Sequence, residues 1–109
     1  MAITDFFGFH ENQETIATGK IFGVNQNVSL TLEVDGDATD FVIIPEGIVN
    51  AKTEIWSPLS AIAYDGYVIT EEITKNGIYA VDITGLYKVR FNLISIGSGK
   101  VSIAGRVVK

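Results

Sequence analysis

The residues that invite a chemical reading first are four acids. Asp35, Asp37, Asp40 and Glu46 lie within one short stretch, and hard cations such as calcium take clustered carboxylates as ligands. Counted from Asp35, acids occupy positions 1, 3 and 12, as in a calcium-binding loop between two helices. The sixth position, however, is Asp40, where such a loop needs Gly, and no helix is expected on either side. A solvated hairpin tip accounts better for these acids, so no metal is expected here. His10 is the single histidine. It has no second imidazole for a metal site and no partner arranged for acid–base work. Glu71 and Glu72 are adjacent on an expected strand, so their side chains point to opposite faces and cannot share a substrate. The absence of Cys excludes disulfides, thiolate ligands and a Cys nucleophile. Aromatic residues leave one binding chemistry open: Trp56, Tyr64 and Tyr67, with Tyr79 and Tyr87, offer flat faces that could stack on a sugar ring. Against that, a lone Trp in a small sandwich more often packs at the core or rim. Asn27-Val-Ser29 matches a glycosylation sequon, which means little without a secretory signal. No catalytic site, cofactor or metal is expected, and the protein is not expected to be an enzyme.

The elements that would position these residues are strands. In Val28-Ser-Leu-Thr-Leu-Glu-Val34 apolar and polar side chains alternate, which places Val28, Leu30, Leu32 and Val34 on one face. The same rhythm recurs in Lys88–Leu93, with Val89, Phe91 and Leu93 inward, and in Lys100–Val107, with Val101, Ile103 and Val107 inward. A slip of one residue would turn each set to water, so the pattern fixes register. Asp35-Gly-Asp37, Asp65-Gly66, Asn76-Gly77 and Gly97-Ser-Gly99 supply turn residues that tolerate positive φ. Gly97–Gly99 is expected to close a hairpin, and Asn76-Gly77 to join a strand at 67–73 to one at 78–83. Strands are placed at 14–24, 28–35, 40–45, 51–57, 67–73, 78–83, 86–96 and 100–108, and no helix is expected. About eight short antiparallel strands argue for a two-sheet β-sandwich, jelly-roll or Ig-like in topology.

Residues 1–13 break this rhythm. Ile3, Phe6, Phe7 and Phe9 concentrate apolar surface in a segment expected to be an N-terminal arm, with the sandwich occupying residues 14–109. The arm either folds back over an open end of its own sandwich or docks on a neighbouring subunit, with even weight on both. On the second reading, its removal leaves the sandwich folded and abolishes attachment or oligomerisation.

The bulk numbers agree with one small domain. The chain has 109 residues, 47% of them hydrophobic and 19% charged, which suits a single packed core and not disorder. The net charge is −5, and the eight basic residues are scattered singly. Binding to phosphate backbones needs them clustered, so nucleic acid is not an expected partner. No apolar run is long enough to span a membrane as a helix, and no signal peptide is read at the N-terminus.

From about residue 28 onward the order of features resembles a family of small β-sandwich structural proteins of tailed bacteriophages. The alternating Val28–Val34 strand comes first, followed by Ile43-Ile-Pro-Glu-Gly47, Trp56-Ser-Pro-Leu59 and Asn76-Gly-Ile-Tyr79. Val81-Asp-Ile-Thr-Gly-Leu-Tyr-Lys-Val-Arg-Phe91 is the most distinctive run, and Gly97 to Val108 closes the series. The sequence departs from the family pattern at Ala51-Lys-Thr-Glu-Ile-Trp56, where an Asp-Gly turn before the Trp is missing. The resemblance implies a non-enzymatic virion component on the capsid surface. Its first form is a capsid decoration protein that binds the major capsid protein as a homo-oligomer such as a trimer. The adhesive patch would then include Ile3, Phe6, Phe7 and Phe9. The alternative is a carbohydrate-binding module of a tail fibre or baseplate that uses Trp56, Tyr64 and Tyr67. Asp82 and Thr84 are expected to bond backbone amides around a turn at Gly85, and Arg90 to pair at the surface with an acid on a neighbouring strand.

Overall fold

The structure is a computed structural model that describes residues 7–108. Among these residues the chain forms ten strands and no helix: β1 (Phe7–Gln13), β2 (Phe22–Gly23), β3 (Ser29–Gly36), β4 (Val42–Ile48), β5 (Ser57–Pro58), β6 (Ala61–Ala63), β7 (Val68–Thr70), β8 (Gly77–Asp82), β9 (Lys88–Ser95) and β10 (Val101–Val108). Six of them form one antiparallel sheet in the order β1-β10-β3-β8-β6-β7, and four form a second in the order β2-β9-β4-β5. The expected all-β sandwich is the observed fold. Its core lies between the sheets, where alternation sends Leu30, Leu32, Val34, Val81, Val101 and Ile103 inward from the larger sheet. Ile43, Val89, Phe91 and Leu93 meet them from the smaller one. Val28, expected to be inward, lies before β3 and is 40% exposed.

Several local expectations are corrected. The strand placed at 14–24 reduces to Phe22–Gly23 and a single bridge between Ala17 and Leu93. The strand at 51–57 is a turn at 51–53 followed by irregular chain, with pairing only at Ser57–Pro58. Neither expected hairpin forms. β7 pairs with β6, which separates it from β8, while Gly97–Gly99 carries the chain from β9 in the smaller sheet to β10 in the larger. The acidic turn at 35–40 likewise leads from β3 in one sheet to β4 in the other, so it is a crossover and not a hairpin tip. Turn chemistry specifies where a chain reverses. Which strand it then pairs with depends on contacts distant in sequence. β4 also runs through Pro45, whose carbonyl accepts from Leu59 N at 2.8 Å. The missing donor therefore faces the short edge strand β5, where little of the ladder is lost.

Of the two readings of the N-terminal segment, residues 7–13 follow the one in which it folds back on its own sandwich, and they do so as a strand: they form β1 and pair with β10 from Phe7↔Gly105 to Gln13↔Val101. A register shift between Gly8 and His10 inserts one extra residue, so Phe9 and His10 both turn inward, which strict alternation forbids. Phe9 is 1% exposed and meets Phe7, Phe22 and Phe91 edge to face at centroid distances of 4.9, 6.3 and 4.7 Å. Phe7, half-buried, packs against the same cluster. Ile3 and Phe6 lie outside the described residues.

The turn after β8 forms as read. Asp82 Oδ1 accepts from Thr84 N at 3.0 Å, Thr84 Oγ1 donates to the Val28 carbonyl, and Gly85 adopts φ +83°. The backbone bond from Thr84 N holds the Asp82 carboxyl below its ordinary value. A depressed folded-state pKa gives stability that is present above the unfolded value and lost as pH falls through the folded one. Asp82→Asn is therefore expected to lower the melting temperature at neutral pH, with the difference from the parent closing as the pH falls below the carboxylate range. Thermal melts of both proteins across that range check it.

Candidate functional site

Each candidate residue has a definite place. His10 is buried, and its Nε2 donates to the Phe91 carbonyl at 2.6 Å. Phe91 sits on β9 between the Ala17↔Leu93 bridge and the Phe22↔Val89 pair. Between those points residues 18–21 leave the ladder, and Lys20 N bonds to Phe9 O in the other sheet. The imidazole fills the gap so created and ties β1 to β9 across the sandwich. Gly19, at φ +75°, leaves room for it, since a Cβ there would lie 2.5 Å from Nε2. His10 is thus a structural clamp.

The acids are dispersed. Asp37 Oδ1 accepts from Lys100 N at 2.8 Å and fastens the crossover to the start of β10. Glu46, on β4, stands directly opposite Arg90 on β9, and Arg90 Nε donates to Glu46 Oε1 at 2.7 Å. Among the described residues no group of three or more His, Cys, Asp or Glu is placed to hold a metal. The Arg90–Glu46 pair is more sheltered than the expected surface pair: its side chains are only 19% and 15% exposed. Trp56 explains the shelter, because the Arg90 guanidinium lies over its ring at 4.0 Å. Asn92 Nδ2 adds a longer bond of 3.4 Å to Glu46 Oε2. Arg90→Ala would leave Glu46 half-buried without its partner and remove the cover from Trp56, and is expected to cost about 1–3 kcal/mol in urea unfolding.

The aromatic set therefore divides. Trp56 leads into β5 at the edge of the smaller sheet, with Arg90 over its ring. Tyr64 and Tyr67 lie in the β6–β7 loop of the larger sheet, stacked on each other at 6.1 Å and 29°. Tyr67 is 76% exposed and adopts φ +52°, a conformation that disfavours a bulky side chain. The three residues do not form one platform. Tyr79 lies inward, its hydroxyl donating to the Lys75 carbonyl at 2.7 Å, and burial pushes its pKa above the ordinary tyrosine value.

An exposed apolar face on the larger sheet was not anticipated. One line of register crosses the outer face of the larger sheet through Thr31, Ala80, Ile62 and Ile69. Ile78 stands beside it, with Tyr64 at the adjoining loop. Ile62, Ile69 and Ile78 are all exposed. Towards β10 the face becomes more polar, and a shallow depression of about 330 Å3 opens between Glu33, Ile78, Ala104 and Arg106. Such a face, apolar on one side and charged on the other, suits contact with a protein surface.

This arrangement can be set beside known proteins. The model of the XepA family matches residues 3–107, nearly the whole chain and including β1. The chain belongs to the XepA family. Its fold is that of two solved proteins, one of them prophage-derived. YomS of the SPBc2 prophage is 26% identical, with 100% of this chain and 99% of YomS covered at a TM-score of 0.88. The PBSX exported protein XepA is 25% identical, with 96% of this chain covered at a TM-score of 0.91. The chain spans only 37% of XepA itself. Comparison with curated protein sequences gave no match. The XepA family is thus phage-derived, in keeping with the phage resemblance read from the sequence. Its match extends through the N-terminal residues that the resemblance had left out.

Proposed function

We propose that the protein is a non-enzymatic phage structural protein that works by contact, laying the apolar outer face of its larger sheet on another protein surface. The observation that carries this reading is the exposed Ile62–Ile69–Ile78 face. A non-catalytic role is supported by the groups most suited to chemistry being engaged within the fold: His10 with Phe91, Glu46 with Arg90, and Asp37 with Lys100. The phage shell is the first surface to test, which makes capsid decoration the specific form of the proposal. The adhesive element moves from Phe7 and Phe9, now partners within the sandwich, to the sheet face. XepA's description as an exported protein supports a place of action outside the host cytoplasm, on the particle or released from it. Purified protein mixed with shells stripped of accessory proteins should co-sediment to a fixed ratio with the shell subunit. A folded protein that stays in the supernatant at every concentration would remove the decoration role.

The Tyr64–Tyr67 pair supports a second reading, a glycan-binding module. Two exposed, nearly parallel rings flank Asp65, which offers hydrogen-bond acceptors to sugar hydroxyls. A glycan array probed with the parent and with Tyr67→Ala separates the two. Binding that disappears in the variant favours the glycan, and silence from both favours protein contact.

A further inference from the structure

Arg90 is held more closely than an ion pair requires. β5 borders β4 and β4 borders β9, so the Trp56 indole reaches across β4 to meet the Arg90 guanidinium at 4.0 Å. Glu46 Oε1 takes the Nε–H at 2.7 Å, and Asn92 Nδ2 steadies the second carboxylate oxygen at 3.4 Å. One face and one edge of the guanidinium are thus fixed. Its far edge is open: among the described residues neither Nη atom has a protein acceptor, and Asn92 Oδ1 has no donor. None of these atoms is shut away from water. A fork of N–H donors, immobilised and open at its end, is suited to receive a carboxylate through two parallel hydrogen bonds.

The neighbouring side chains narrow the choice of carboxylate. Val89 and Phe91 are buried inward, so Lys88, Arg90 and Asn92 share the outer face of the smaller sheet. Glu46 balances the charge of Arg90. Lys88, whose Nζ lies over the Tyr87 ring at 5.1 Å, has no acid partner among the described residues and leaves the cluster a single net positive charge. That matches a monoanion. Trp56 is half-buried, so part of its indole stays open as a flat apolar surface for one face of a sugar ring. Asn92 Oδ1 and Glu46 supply acceptors for hydroxyls around the ring. A carboxylate without a ring would leave the indole and these acceptors unused.

We propose that the outer face of the smaller sheet binds an acidic sugar, its carboxylate on the Nη atoms of Arg90, its ring against Trp56 and its hydroxyls on Asn92 and Glu46. This site is separate from the Tyr64–Tyr67 pair, which belongs to the larger sheet. It also lies on the opposite side of the sandwich from the Ile62–Ile69–Ile78 face. Contact with a protein surface through that face leaves the sugar site open, and the site does not depend on what that surface is.

Trp56 is the single Trp of the chain, so its emission reports on the site. Titration with sodium glucuronate at constant ionic strength should change that emission saturably, and calorimetry should give the same affinity. Glucose, which has no carboxylate, should bind at least about tenfold more weakly, the loss of one charge-assisted hydrogen bond. Acetate, which has no ring, should also bind more weakly than glucuronate. Arg90→Lys keeps the charge beside Glu46 but removes the fork. It should melt near the parent and bind glucuronate at least about tenfold more weakly. Tyr67→Ala should bind glucuronate as the parent does. Neither heat nor a change in emission from the folded parent would overturn the proposal, as would undiminished binding by Arg90→Lys. Acetate binding as tightly as glucuronate would overturn it too, by making this a site for carboxylates at large, such as a peptide terminus. Loss of binding in Tyr67→Ala would transfer the sugar to the tyrosine pair.

Discussion

Phe9→Ala is expected to lower the free energy of unfolding by about 3–5 kcal/mol, the range for emptying a fully buried aromatic site. Phe9 has lost nearly all contact with water and joins Phe7, Phe22 and Phe91 in edge-to-face contacts that link β1, β2 and β9. Its backbone carbonyl also holds Lys20, and the neighbouring His10 bonds to Phe91. Removing residues 1–13 takes away the whole strand together with its ladder to β10. That truncation should leave a chain without a cooperative melt, in contrast to the folded sandwich that an independent arm would have left behind. Urea unfolding followed by tyrosine and tryptophan fluorescence measures the first, and thermal denaturation by circular dichroism the second. A Phe9→Ala protein within 1 kcal/mol of the parent, taken as roughly the typical cost of any substitution, would contradict the placement of β1.

Gly36→Val is expected to be similarly severe, at about 3 kcal/mol or more, because strain and collision act together. Gly36 has φ +125° at the end of β3, where it pairs with Val101. A Cβ there would collide with the Lys100 carbonyl and approach Val101 Cα to 3.1 Å. Those atoms are backbone of the neighbouring strand and cannot swing aside as a side chain would. Gly66→Ala supplies the comparison. Gly66 also has positive φ, but its nearest neighbour to an added Cβ is Val68 Cγ2 at 3.5 Å, an ordinary contact. Its cost should stay near that of the conformation alone, about 1 kcal/mol. Equal losses at the two sites would show that the Lys100 backbone yields.

The sheet interior was legible because alternation is local. Leu30, Leu32 and Val34, Val89, Phe91 and Leu93, and Val101 and Ile103 all lie inward as their spacing requires. β1 was not legible, since its bulge turns the consecutive residues Phe9 and His10 to the same side and erases the period. Ala61-Ile-Ala63 carries little strand signal, and its place between β8 and β7 is set by pairing with residues far along the chain. Local turn chemistry at Asn76-Gly77 and Gly97–Gly99 could not show that successive strands enter different sheets or take other neighbours. At the candidate site, Tyr64 and Tyr67 were readable from their spacing about Asp65-Gly66. Trp56 was grouped with them only because sequence does not show that Arg90 covers its ring. The outer apolar face could have been found in part. Tyr79 and Val81 have inward parity, so Ile78 has to face out, and an exposed Ile on a strand is a signal in itself.

The claim that this member of the XepA family acts through its sheet face is tested most directly by changing that face and nothing beneath it. The Ile62→Glu/Ile78→Glu protein should melt as the parent does, because both side chains point outward, and should no longer co-sediment with stripped phage shells. A folded double variant that still binds shells at the parental ratio would contradict the account.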